Sequence, residues 1–208
     1  MRKKFFFFIV FEGVEGTGKT YQINKLYKNL REKKIPSIKT REPGGPNTAE
    51  KIRNLIFSKN SSQFDSLTDF YLMCAARNEH IKKLLLIAKK FKRVVICDRF
   101  TDSTFAYQVV GNKIDKKINT VNQHYILKGL KPNLTIVLKA NFKTIFSRLN
   151  KRKKLNKFDK LKVNFYKKAQ NFYINKARNN KNYYVFDSSS NTPDLETDIL
   201  KLVVKKLK

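Results

Sequence analysis

Phe5-Phe6-Phe7-Phe8-Ile9-Val10-Phe11-Glu12-Gly13-Val14-Glu15-Gly16-Thr17-Gly18-Lys19-Thr20 joins an unbroken apolar run to a glycine-rich turn, and its reading decides the fold. The run over residues 5–11 lacks the polar alternation of a half-exposed strand, so it predicts a strand buried on both faces. Behind it, residues Gly13 to Thr20 fit the pattern G-x-x-x-x-G-K-[ST], directly after a strand and before a helix, where that pattern has physical meaning. The glycines let the backbone turn its N–H groups inward, which builds an anion cradle at a helix N-terminus. Lys19 then reaches the β- and γ-phosphates of a nucleotide, and Thr20 offers its hydroxyl to Mg²⁺. The motif speaks for nucleotide phosphate binding; it leaves the reaction open.

Outward from this junction, apolar runs at 35–39, 94–97, 134–138 and 183–186 read as further strands. Amphipathic stretches at 19–34, 49–57, 67–90, 116–129, 142–148, 163–178 and 195–207 read as helices. Strands alternating with helices predict an α/β fold: a five-stranded, mostly parallel sheet with helices on both faces. With no repeat and no linker, residues 1–208 read as a single domain. The charge-dense stretch at 148–160 reads as a small lid over a phosphate site or as a solvated helix face.

The longest apolar run has seven residues, against the roughly 20 that cross a bilayer, so no membrane partner is expected. The opening Met-Arg-Lys-Lys followed by phenylalanines imitates a secretory signal, yet it runs into Glu12 without a small-residue cleavage site. Cys74 and Cys97 have no metal-like or paired spacing and read as reduced core thiols of a cytoplasmic protein. A formal net charge of +30 points toward nucleic acid. Against that, only ten of the 46 basic residues are Arg, and Lys, Asn, Phe, Ile and Tyr are abundant throughout, as AT-rich codons produce. The lysines are dispersed, no nucleic-acid-reading motif accompanies them, and no specific nucleic-acid partner is expected.

At the end of the third expected strand, Asp98-Arg99-Phe100 continues into Thr101-Asp102-Ser103-Thr104-Phe105-Ala106-Tyr107-Gln108. Carboxyl ends of parallel strands face the ligand crevice, so Asp98 and Arg99 are expected beside the phosphate loop. There Asp98 can hold Mg²⁺ through water and Arg99 can bind an acceptor phosphate with both guanidinium arms. A plain structural ion pair is the competing reading.

This run resembles the signature D-R-[YFH]-x-x-S-x-x-A-[YF]-[QST] of bacterial thymidylate kinases. Thr40-Arg41-Glu42-Pro43-Gly44-Gly45, with Ala49-Glu50-Lys51-Ile52-Arg53 after it, resembles the same family's T-R-E-P-G-G segment. Ala75-Ala76-Arg77 followed by His80 resembles its arginine-bearing helix. The matches fall in family order and cover most of residues 5–160. The resemblance implies a P-loop nucleoside monophosphate kinase fold and transfer of the γ-phosphate of ATP to dTMP, with Mg²⁺, in a homodimer.

Carried over by position, the resemblance makes Gly13, Val14, Glu15, Gly16, Thr17, Gly18, Lys19, Thr20 and Arg148 the ATP-binding residues, and Thr20 and Asp98 the metal-binding ones. It makes Lys19, Arg99, Arg152 and Lys157 catalytic. Arg77 and Arg99 would hold the phosphate and base of the substrate, Glu15 the sugar 3′-hydroxyl, and Tyr107 the space a 2′-hydroxyl would need. Pro43, Met73, Thr104 and Gln108 would line the thymine pocket. Tyr107 as plain core and Gln108 as surface stay open as alternatives, and His80 reads as a satisfied structural residue.

Gly16 stands where one class of the family has a loop arginine, so the chain resembles the class with arginines in the lid. It departs from the family at Met73, where a phenylalanine stacks on thymine, and at Lys157, where a lid arginine stands. Asn133 and Lys139 replace aspartates. A P-loop kinase for another nucleoside monophosphate or a deoxynucleoside is the alternative, and a nucleic-acid-binding ATPase the more distant one. An apolar helix face around Phe70, Leu72 and Leu84 to Leu86 would serve either a dimer or the core.

Overall fold

Strand β1 (Phe7–Glu12) is buried along its whole length, as its unbroken apolar run requires. The computed structural model describes residues 5–58, 64–152, 158, 161–190 and 192–207. After β1 come α1 (Lys19–Glu32), β2 (Ser37–Arg41), α2 (Asn47–Ile56) and α3 (Ser66–His80), then a π-helical segment Ile81–Leu85 and α4 (Leu86–Lys90). Next are β3 (Val94–Asp98), α5 (Thr101–Thr104), a second π-helical segment Phe105–Gly111, and α6 (Lys116–Leu127). β4 (Leu134–Lys139), α7 (Phe142–Asn150), α8 (Val163–Arg178), β5 (Tyr183–Asp187) and α9 (Pro193–Lys206) complete the described chain. The five strands form one sheet in the order β2-β3-β1-β4-β5, and every pairing is parallel.

Alternation along β1 sends its side chains to two cores. Phe7, Ile9 and Phe11 pack with Ile23, Leu26 and Leu30 of α1 and with Leu195, Ile199 and Val203 of α9. Phe8 and Val10 face Ile81, Leu85, Ala88 and Phe100 on the other side. Beside them Val137 meets Ile145 and Leu149 of α7 and Tyr166 and Tyr173 of α8. Phe70 and Leu85, expected on a possible dimer face, are fully buried and belong to the core.

Boundaries differ from the sequence expectation where pairing decides them. The first two strands begin two residues later than their apolar runs, at Phe7 and Ser37, because both pair with Val94, the first residue of β3. The helix expected over 67–90 is interrupted by the first π-helical segment. Residues 101–111, not expected to be helical, form α5 and the second one. Of the expected lid, Arg148 lies in the last turn of α7 and Arg152 and Phe158 are described, whereas Lys157 lies outside the described residues.

Candidate active site

The carboxyl ends of β1, β2 and β3 open on one cavity of about 250 Å³. Its phosphate-loop wall is Glu15, Gly16, Gly18, Lys19 and Thr20. Gly13, Val14 and Thr17 lie beneath this wall: Val14 is fully buried in the core and contributes its backbone, not its side chain, to the loop. Gly13, at φ +139°, has no room for a side chain, since a Cβ there would come 2.3 Å from the Leu138 carbonyl oxygen. Gly18 enters α1 in the left-handed conformation, and no side chain caps that helix. Its first N–H groups and the positive end of its dipole therefore face the cavity as an anion site.

Lys19 is buried and donates to the carbonyl oxygens of Gly13 at 2.8 Å and Val14 at 3.0 Å. Burial, helped by the nearby charge of Arg99, pulls its pKa down to about 8. Thr20 Oγ1 donates to Asp98 Oδ2 at 3.0 Å, while Asp98 Oδ1 is buried with no hydrogen-bond partner. A hydroxyl and a buried, half-satisfied carboxylate fit a Mg²⁺ ion whose other ligands are phosphate and water. Among the described residues no cluster of three His, Cys, Asp or Glu offers an all-protein metal cage.

Two arginines face the loop across the cavity. Arg99 follows β3 and spans four partners: Nη2 donates to Glu15 Oε1 at 2.7 Å and Tyr107 OH at 3.4 Å, and Nη1 to Ser103 Oγ at 2.8 Å and Tyr173 OH at 3.5 Å. Tyr107 OH donates in turn to Glu15 Oε2, so acid, phenol and guanidinium form one unit. Arg77, on α3, is 3% exposed; its Nε donates to Glu42 Oε2 at 2.7 Å and its Nη2 to Thr104 Oγ1 at 2.8 Å. Arg77 Nη1 is buried without a partner, an uncommitted donor in the wall of the cavity. His80 is clamped between Glu42 Oε1 at 2.7 Å and Thr40 Oγ1 at 2.9 Å, in the structural role expected of it. Burial alone would raise Glu42, but the Arg77 charge and the His80 hydrogen bond hold it below the usual carboxylate range.

Pro43, Met73, Thr104, Tyr107 and Gln108 all line the same cavity. Gln108 is buried rather than on the surface; its Oε1 accepts from Asn112 Nδ2 at 2.8 Å and its Nε2 has no partner. Tyr107 is at once core and wall, with the rings of Phe158 and Phe165 against it. Arg152 reaches the cavity. Arg148 does not line it: the side chain braces the loop from behind, donating to Gly16 O at 3.1 Å and Ser188 O at 2.9 Å. Asn133 holds the Phe8 amide at 2.7 Å, and Lys139 pairs with Asp187 at 3.3 Å, so both replacements have structural partners.

Sequence reading passed over Arg53, Phe57 and Phe158 as wall residues. Helical spacing carried a signal for the first, since Arg53 lies four residues after the buried Ala49 and three before the buried Ile56. It also passed over Glu12, a carboxylate ending a buried strand, which accepts from the amides of Phe100 and Ser103 and from the Ser103 hydroxyl.

The sequence profile of the family described as thymidylate kinase matches residues 11–199. A thymidylate kinase of Acinetobacter baylyi is 39% identical over 168 residues, covering 80% of this chain and 82% of that protein. One of Mycoplasma capricolum is 33% identical across 97% of this chain and 96% of its own. The crystal structure of thymidylate kinase from Ehrlichia chaffeensis superposes with a TM-score of 0.77 at 28% identity, covering 96% of this chain and 99% of that one. With its profile match, its full-length relatives and its shared fold, this chain belongs to the thymidylate kinase family of nucleoside monophosphate kinases.

Proposed function

We propose that this protein transfers the γ-phosphoryl group of ATP directly to dTMP, giving dTDP and ADP. One observation carries the reading: Lys19 of the anion cradle and the guanidiniums of Arg77 and Arg99 line a single cavity, with Thr20 and Asp98 at its edge. The cradle amides and Lys19 hold the triphosphate of ATP, while Arg99 and Arg77 present the acceptor phosphate in line with it. Arg53, also in the wall, adds a third guanidinium to that end. Thr20 and Asp98 would hold Mg²⁺, which would supply neutralisation of phosphate charge. Arg152 screens the charge that shifts during transfer. Lys157 is assigned the same task from the resemblance.

Glu15 accepts from the sugar 3′-hydroxyl, and the Tyr107 ring fills the space of a 2′-hydroxyl, which selects a deoxyribose. The uncommitted Gln108 Nε2 donor and Thr104 face the edge of the base, with Met73 and Pro43 against its ring. Met73 covers the ring face with less orientational preference than an aromatic side chain.

An acceptor panel of dTMP, dUMP, dCMP, AMP and GMP with ATP and Mg²⁺ tests the substrate. Strongest turnover on dTMP is expected; preference for cytidine or purine nucleotides would replace it with another nucleoside monophosphate kinase activity. Arg99→Ala should lose at least about a hundredfold in kcat/KM for dTMP, the order expected for a buried charged hydrogen-bonding group. Activity within a few-fold of wild type would remove Arg99 from the reaction.

The protein acts in the cytoplasm as a homodimer in this reading. Both cysteines are free and buried, as a reducing compartment allows, and no described helix is long and apolar enough to cross a membrane. Leu67 and Tyr71 on α3 and Val121 and Tyr125 on the adjoining α6 are exposed apolar side chains that suit a helix-to-helix contact between copies.

A further inference from the structure

We infer that Glu12 is a positioning residue for the acceptor phosphate, orienting Arg99 through the Ser103 hydroxyl and through the turn that carries the arginine. The inference rests on Arg99 as the acceptor-phosphate ligand. Glu12 closes β1, is 1% exposed and does not line the cavity, so it meets neither nucleotide. Its Oε2 accepts the Ser103 hydroxyl proton at 2.6 Å. A serine hydroxyl has one proton and two lone pairs. Once the proton is committed to Glu12, the oxygen is left to accept from Arg99 Nη1 at 2.8 Å and from Tyr173 OH at 3.0 Å.

The other oxygen, Oε1, accepts from the backbone amides of Phe100 at 2.9 Å and Ser103 at 3.3 Å. These amides flank the path of the chain just after Arg99, whose φ of +71° is left-handed and needs outside support in a residue with a side chain. One buried carboxylate thus holds both the backbone and the guanidinium of Arg99. Burial, with Asp102 nearby, raises its pKa to about 7, against which the Ser103 hydrogen bond, the Arg99 charge and the Phe100 amide favour the ionised form that accepts from them. Replacing it by glutamine preserves an acceptor for the amides but turns an N–H toward Ser103. That serine must then accept from the amide and point its own proton toward Arg99 or Tyr173.

The test is steady-state kinetics of the full chain with ATP and dTMP, comparing wild type with Glu12→Gln, Ser103→Ala, the double variant and Arg99→Ala. Glu12→Gln and Ser103→Ala should each raise KM for dTMP about tenfold, the order for a hydrogen bond to a charged group. KM for ATP should stay within about twofold, and the double variant should be no worse than the poorer single one, because both act along one path. If Glu12→Gln does not fold, Glu12→Asp, which keeps the charge but falls one methylene short of Ser103, must show the same dTMP-selective rise. Equal changes in both KM values, additive losses, or an unchanged KM for dTMP while Arg99→Ala raises it would overturn the inference alone. An unchanged KM for dTMP in Arg99→Ala would overturn the reading of Arg99 and the inference with it.

Discussion

Arg99 occupies left-handed backbone space, and such strain persists only where neighbours over-determine it. Here they do: its amide donates to Phe11 O at 2.9 Å, its guanidinium spans Glu15 and Ser103, and Glu12 anchors the next residue. The same carboxylate supplies a pH test at the residue scale. Glu12 titrates near 7 in the folded protein against the usual 4.5, so between those values the native state binds more protons than the unfolded one. Stability contributed by the protonated acid is present below pH 4.5 and is lost as pH rises through 7. The deficit at higher pH is on the order of a few kcal/mol. Thermal melts should therefore show the Tm of Glu12→Gln, relative to wild type, improving between pH 5 and pH 8. A pH-independent difference would mean that Glu12 does not titrate in this range. Gly13→Ala belongs here as well: its Cβ would be forced against the Leu138 carbonyl, so loss of ATP affinity together with a lower Tm is expected.

Among the elements, α1 and α3 illustrate two ways of finishing a helix N-terminus. Asp65 caps α3 with its side chain, accepting from the Thr68 amide at 2.8 Å, and the helix presents Arg77 near its other end. Asp65→Ala should lower Tm by about 2–4 °C through the lost cap, with kcat near wild type. A large loss of kcat would show that the cap positions Arg77. α1 has no side-chain cap and no acidic residue in its first turn, which leaves its amides for an anion. ATP, even without Mg²⁺, should therefore raise Tm, and above Kd the rise should grow with the logarithm of ATP concentration; Lys19→Ala should abolish most of it.

For the whole molecule, an all-parallel sheet covered on both faces leaves only strand ends for chemistry, and the cavity lies there. The faces of α3 and α6 that the core does not use carry Leu67, Tyr71, Val121 and Tyr125, the last 72% exposed. Light scattering should report twice the 24.5 kDa chain mass for wild type and the monomer mass for Tyr125→Glu. A monomeric wild type would end the homodimer reading. The net charge of +30 has no such focus in the sequence, and salt is expected to change ATP turnover by only a few-fold, through screening of a dispersed charge.

Local physics made several features readable in the linear chain. An unbroken apolar run ending in a glycine turn and Lys19 specifies a buried strand and an anion cradle, because burial and backbone geometry there depend on adjacent residues. The order of motifs was enough to reach the family, and Asp98, Arg99, Arg77, Tyr107 and Gln108, singled out in the linear chain, line one cavity. Tertiary structure alone decided which faces meet. It turned Val14 into core, set Arg148 behind the loop, buried Phe70 and Leu85, and brought Arg53 into the wall. It also decided that the Ser103 hydroxyl donates to Glu12, 91 residues away, since a hydrogen bond between strand end and distant helix depends on sheet register and packing that no local sequence pattern encodes.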